Sequence, residues 1–361
     1  MFITKELNRW RLRKRKNKWV ALCNKFLALS AFVILSTASI AKAAPTGGEI
    51  TNGSGSITQV ESATNINQAS TRLDINWQTF STEVHESVNF FQPDAISVAI
   101  NRVIGGVPSE LRGALNANGR VFVLNDAGVT FFGTSQVNVG ALIATTAKDV
   151  NIVGDRFTFS GDSYGQVINH GNIHVSNGGF AILAAPYVEN TGVIQANLGE
   201  IQLASTKDFT VDLRGDGIIN FTVSKETADA IVEEGKKLGV DNSGTLQAQS
   251  GTIGISANLA SNIVQSVVNL SGVVDADALS SEQNGGTVLV TSVDDINITG
   301  NIHADGGVGG NGGAIITNAD GANRFESDAT ITARGGETAG DGGFVEVSGK
   351  DVIFRGSVNA S

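Results

Sequence analysis

The side chains best placed for chemistry are few and scattered. The 361-residue chain holds four histidines and one cysteine. His170 and His174 stand four apart, which puts both on one face of a straight strand. Zinc would need further ligands, and Gly171-Asn172 between them reads as a turn. Gly306-Gly307-Val308-Gly309-Gly310-Asn311 partly matches a calcium-binding glycine–aspartate repeat. It occurs once, with Asn where the repeat carries Asp, and reads as a turn. Asp294-Asp295 is a carboxylate pair of the kind a polysaccharide-active enzyme uses beside a basic residue. No Lys or Arg lies within 25 positions on either side. These groups predict no catalytic centre, no metal and no cofactor. The enzymatic alternative rests on Asp294 and Asp295.

The N-terminus explains where the chain works. Residues 1–25 carry nine basic side chains and one acid, Glu6. An apolar run from Phe26 to Ile40 follows, then Ala41-Lys42-Ala43. This order is a secretory signal, with Ala41 and Ala43 as its small residues and cleavage expected after Ala43. A 15-residue run is shorter than the roughly 20 residues a transmembrane helix needs, so no stable membrane insertion is expected.

Without the signal, 15 of the 25 basic and 34 of the 35 acidic residues remain, a formal charge of −19 against −10 for the whole. Nucleic acid and anionic lipid both call for a basic patch, so neither is an expected partner. The single cysteine, Cys23, lies in the signal ahead of its apolar run, not where a lipid is attached. The exported part therefore has no disulfide. Burial and hydrogen bonds must hold it.

Forty-four glycines against four prolines, with short apolar runs between Gly, Asn, Asp and Ser, describe an all-β chain of many tight turns. Val121–Leu124, Ala181–Ala184, Ile201–Ala204, Val288–Val290 and Phe344–Val347 are such runs. Repeats decide how they are arranged. Asn169-His170-Gly171 and Asn190-Thr191-Gly192 are 21 residues apart, and Asn242-Ser243-Gly244 is a further copy. Val274-Asp275-Ala276, Ile302-His303-Ala304, Ile331-Thr332-Ala333 and Val358-Asn359-Ala360 follow at spacings of 28, 29 and 27. A unit this small cannot bury its own apolar face, whereas stacked units can. The fold expected is a right-handed parallel β-helix with an N-terminal cap. About a dozen coils at about 4.8 Å would make a stack some 60 Å long. Ser224 to Gly239, with acids early and Lys236-Lys237 late, is expected to insert a short helix. The layout is a signal over 1–43, a capped domain over 44–240, and further coils over 241–361 that end as a truncated repeat array.

One ordered series of motifs carries more. Trp77-Gln78-Thr79-Phe80 is followed by Val88-Asn89-Phe90-Phe91-Gln92-Pro93. Ala99-Ile100-Asn101-Arg102-Val103-Ile104-Gly105-Gly106 comes next, then Leu115-Asn116-Ala117-Asn118-Gly119-Arg120-Val121-Phe122. Together they resemble the N-terminal secretion domain of filamentous-haemagglutinin-type exoproteins, the cargo of two-partner secretion. The similarity covers about residues 45 to 240. The family's Asn-Pro-Asn-Gly turn is Asn125-Asp126-Ala127-Gly128 here, which keeps the flexible glycine and loses proline's preset φ.

The resemblance implies a secreted or surface-held protein that reaches the outside through the periplasm. It implies recognition by a cognate outer-membrane transporter of the TpsB type through its periplasmic domains, and an adhesin-like role towards a host or neighbouring-cell ligand. It assigns recognition or folding to Asn101, Arg102, Asn116, Asn118, Gly119, Asn125 and Gly128. Arg102 is expected to pair with Glu110 or Asp94, or to face the transporter. Phe90, Phe91, Phe122, Phe131 and Phe132 are expected to plug the open N-terminal end. An autotransporter passenger is the remaining alternative.

Overall fold

The computed structural model describes residues 44–213, 220–223, 238–259 and 267–361. The signal, its cleavage residues and the expected helix over 224–237 lie outside the described residues. Gly239 itself opens a strand, Gly239–Asn242.

The chain winds as a parallel β-helix with three walls. The first wall is a twelve-stranded sheet, and the second and third share an eighteen-stranded one. One circuit runs, for example, Asn172–Val175, Phe180–Ala185, Tyr187–Asn190, before Val193–Gln195 begins the next. Each strand pairs in parallel and in register with its counterpart one coil on, as Val188 does with Val240 and Val240 with Val268. Inward side chains therefore stack in columns of like residues. Val88, Leu115, Val137, Ile173, Ile194 and Leu246 lie one above another inside the first wall. All are buried in one continuous core that extends to Ala333.

The first strand of the twelve, Gly55–Val60, is antiparallel to its neighbour Ala63–Gln68. Among the described residues, the other eleven strands mark ten full turns, about 48 Å at about 4.8 Å per turn, against the dozen expected. Residues leave the stack for excursions between wall strands, so fewer turns are built.

The corner after the third wall explains the Asn-x-Gly repeats. Asn169, Asn190 and Asn242 are buried and stacked. Asn169 Nδ2 donates to Asn190 Oδ1 at 2.8 Å, and Asn190 Nδ2 to Asn242 Oδ1 at 2.7 Å. The glycines behind them pack backbone on backbone. A Cβ on Gly192 would lie 2.1 Å from the Gly171 carbonyl oxygen, closer than any side chain allows.

The N-terminal end is closed by antiparallel strands. Glu49–Asn52 pairs with Arg72–Trp77, and Gly55–Val60 covers Ala63–Gln68. Trp77 is buried beneath them, edge-on to Phe80 at 5.5 Å. This corrects the phenylalanine plug. Phe90 and Phe131 are ordinary core residues, Phe91 is exposed, and Phe132 lies under the Arg112 guanidinium.

Phe122 points outward into a second core that the sequence reading did not anticipate. Strands Asp149–Val153, Arg156–Ser160, Phe209–Asp212 and Asn220–Val223 come from two excursions and join as one antiparallel sheet. It covers the outer face of the second wall. Phe159 stacks on Phe209 at 4.5 Å and meets Phe122 edge-on at 6.1 Å. Phe180, Ile182 and Ile143 complete the contact. The wall strands beneath are apolar at successive positions because both faces are covered. Beyond the flap they alternate, as in Thr287–Ser292.

Two outcomes follow. Phe159→Ala should lower stability in urea by about 3–5 kcal/mol, the usual cost of emptying a buried aromatic site. An unchanged midpoint would mean that the flap does not dock. Glu200 stands on the outer wall between Phe180 and Thr252. Burial pushes its carboxyl up to about 7, against the lowering effect of the hydrogen bond from Gln202. The folded state then holds an extra proton between the ordinary carboxyl value of 4.5 and about 7, so stability falls as pH rises through that window. Glu200→Gln should match the parent protein at pH 4.5 and exceed it at pH 7.5 by at most about 3 kcal/mol, at roughly 1.4 kcal/mol per pK unit. Identical pH profiles for the two proteins would rule this out.

Candidate functional site

The motif residues meet across the first three coils. Trp77 Nε1 donates to Asn101 Oδ1 at 3.0 Å, and Asn101 Nδ2 donates to the Phe122 carbonyl at 3.3 Å. Asn101 is fully buried, facing inward with Ala99 and Val103. One buried amide thus joins coils one, two and three. It links the Trp-Gln-x-Phe motif to the Asn-Arg and Asn-Gly motifs.

The second junction is the corner between the first and second walls. Asn118 clips the backbone of Gln92. Gln92 N donates to Asn118 Oδ1 and Asn118 Nδ2 donates to Gln92 O, both at 2.8 Å. The Gln92 side chain then turns inward. Its Oε1 accepts from Gly119 N at 2.9 Å, and its Nε2 lies 3.1 Å from Gln68 Oε1, 3.0 Å from Ser97 O and 3.2 Å from Arg120 O. Gly119 is required, since a Cβ there would sit 2.7 Å from Gln92 Oε1. Asp94 closes the same corner. Its Oδ1 accepts from Ser97 Oγ at 2.6 Å and Ser97 N at 2.7 Å, which holds its carboxyl below the usual range.

The third is the altered turn. Gly128 N donates to Asn125 O and Ala127 N to Asn125 Oδ1, both at 3.0 Å. Gly128 has φ +117°, a conformation glycine adopts freely, so the reversal forms without proline. The Asn125 amide reaches the preceding coil, donating to Val107 O at 3.0 Å and Ser109 Oγ at 2.9 Å.

Asn116 belongs to an outward ladder on the first wall. It donates to Asn89 Oδ1 at 2.9 Å and accepts from Asn138 Nδ2 at 3.4 Å, while Asn89 donates to Asn65 Oδ1 at 3.0 Å. His174 continues this row beside Asn138 and meets Gln195 at 3.0 Å. His170 lies at the next corner and bonds Thr191 at 2.6 Å. The two histidines thus serve different contacts.

Asn101, Asn116, Asn118, Gly119, Asn125 and Gly128 are all engaged within the chain. Arg102 differs. Among the described residues it pairs with neither Glu110, which holds Arg112 at 2.6 Å, nor Asp94. Gln68 and Ser97 escaped the sequence reading, and Gln92 entered it only as part of a motif. Their signal was the polar run at a coil corner, Gln92-Pro93-Asp94, with Ser three residues after Asp as in an Asx turn.

The carboxylate pair has a structural setting. Asp295 Oδ2 takes a 2.6 Å hydrogen bond from Arg324 on the next coil, and Asp295 Oδ1 accepts from Ala322 N at 2.8 Å. Those bonds depress the Asp295 pKa despite its partial burial. Asn311 Oδ1 accepts from Asp341 N, and Asn311 N donates to Asn284 Oδ1, both at 2.8 Å, making the glycine-rich stretch a stacked corner.

Gln92 offers a direct test. Gln92→Glu keeps size and acceptors but loses both amide protons, so Gln68 Oε1 loses this donor and the Ser97 and Arg120 carbonyls face a carboxylate oxygen instead. An unsatisfied buried group costs about 1–3 kcal/mol, so a drop of at least about 2 kcal/mol in urea is expected. Asn116→Ser on the exposed ladder should cost less than about 1 kcal/mol. Equal effects would remove the corner's special standing.

Comparison with known proteins agrees with this geometry. A TPS secretion domain model matches residues 41–304. A heme/hemopexin-binding protein of Haemophilus influenzae is 32% identical over 211 residues, covering 55% of this chain and 23% of its own length. A second Haemophilus influenzae heme/hemopexin-binding protein is 28% identical over 321 residues, covering 81% of this chain and 32% of its own. The chain thus spans from about a quarter to a third of these relatives' length. The HMW1 secretion domain from Haemophilus influenzae has the same fold, with a TM-score of 0.61 at 24% identity over 88% of this chain and 98% of that one. The chain belongs to the TPS secretion domain family, the secretion domain of two-partner secretion exoproteins.

Proposed function

We propose that the first coils are the element a cognate outer-membrane transporter recognises from the periplasm, and that they seed the coil stack outside the cell. The observation that carries this is the asymmetry of the stack. Its first end is closed by antiparallel strands and cross-linked through Trp77, Asn101, Gln92 and Asn118. Every later coil pairs onto the one before it. Once such a seed exists, adding each coil is downhill, because it buries one more layer on a formed template. That supplies a direction for folding where no nucleotide energy is available.

The chain works as a scaffold and export element rather than an enzyme, with Asp295 acting as a tether to Arg324. An adhesin-like role on the cell surface or in the medium is the reading for the whole exoprotein. The named activity of the Haemophilus relatives, binding heme or hemopexin, is the alternative. Heme titration of the purified chain separates them, since the adhesin reading predicts no Soret shift.

Co-expression with and without the transporter tests the main proposal. Processed protein should reach the medium only when the transporter is present. Equal export in its absence defeats the reading, and a β-barrel encoded downstream in the same gene would favour an autotransporter instead.

A further inference from the structure

If a transporter reads the first coils, most motif side chains are unavailable to it, because they face inward or bond their neighbours. The outward row that runs on from Val98–Val103 is a different case. Val98 and Ile100 are covered by the second core. Arg102 comes next, then Ile104, which is 52% exposed, and beyond Gly105-Gly106 stands Val107 at 45%.

Arg102 is unusual in this acidic chain. Arg72, Arg112, Arg156, Arg324, Arg334 and Arg355 each pair with a carboxylate. Arg120 lies in the field of Asp155 and Asp94. Among the described arginines, Arg102 alone has no acidic partner, and its buried Nε has no hydrogen-bond acceptor.

The loop that follows is held rigidly. Ile104 N donates to the Trp77 carbonyl at 2.8 Å. Gly105 presses on Gln78, where a Cβ would lie 2.0 Å from the carbonyl oxygen. Asn125 Nδ2 grips Val107 O. Residues of two other motifs thus fix a tip whose apolar side chains stand exposed among the described residues. A tip ordered in advance loses little entropy on binding.

We propose that Arg102, Ile104 and Val107 form the surface that docks on the transporter, with a transporter carboxylate pairing with Arg102 and an apolar patch receiving Ile104 and Val107. Charge complementarity selects this partner chemistry. The exported chain carries a formal −19, so an acidic partner surface is repelled over most of it and admitted at an unpaired guanidinium. Such pairing fixes orientation and speeds encounter.

The test uses the exported chain and the full transporter in detergent. Arg102→Glu, Arg102→Gln and the double variant Ile104→Ser with Val107→Ser are compared with Arg355→Glu as a control on a distant coil. Each is first checked for an unchanged urea midpoint. Arg102→Glu and the double variant should weaken binding at least tenfold and reduce export, while Arg355→Glu behaves as the parent. Raising the salt concentration should narrow the gap between the parent and Arg102→Glu. Should Arg102→Glu misfold, the shorter and uncharged Arg102→Gln decides in its place. Folded variants that bind and export like the parent overturn the proposal, and if the parent's export still needs the transporter, only this surface is lost. Parent export without the transporter would instead defeat the recognition reading itself.

Discussion

Everything in this molecule depends on the parallel backbone ladder between successive coils. A strand of three to twelve residues has no other way to satisfy its amides and carbonyls, and unpaired buried ones are costly. Each coil therefore needs a formed neighbour on both sides. The ladder imposes strict register, and register stacks identical chemistry in columns. It also makes the first edge dangerous, because an open row of backbone groups invites pairing with any other strand. The antiparallel strands Glu49–Asn52 and Gly55–Val60 remove that hazard where the stack begins.

Columns tolerate polar residues only when these bond along the column. Asn169, Asn190 and Asn242 do so, each amide donating to the next. Above them the same position becomes Leu270, Ile298 and Phe325, paired in register. Amide and aliphatic stretches are thus alternative solutions for one buried corner. The first coils use a different device, a network that crosses walls as well as coils. Trp77, Asn101, Gln92 and Asn118 tie several motifs together, and one amide, Asn101, bonds across three coils. The family motifs have a physical reason here as interlocking parts.

The second wall carries a further layer of organisation. Excursions from coils far apart in sequence join in one sheet over Phe122, Phe180 and Ile182. The strand pair Arg156–Ser160 with Phe209–Asp212 brings together residues some fifty positions apart in the chain. Past the flap, the outer wall alternates between buried and exposed positions, with Leu289 and Phe344 half-exposed.

The sequence by itself determined the fold class, because spacings such as 28, 29 and 27 residues between like tripeptides leave stacked coils as the arrangement that buries every apolar run. It marked the corners too, since Asn-x-Gly and Asn125-to-Gly128 are local turn signals. Only the tertiary structure decided what each motif side chain touches. Asn101 and Arg102 are adjacent, yet strand alternation sends one into the core and the other to the surface. Phe122 and Phe131 look alike in sequence, yet they lie on opposite sides of their walls. The number of coils was likewise beyond the sequence, because excursions are rich in the same β-forming residues as the walls. Local pattern specifies strand and turn, whereas the direction a side chain faces is set by pairing with residues twenty to fifty positions away.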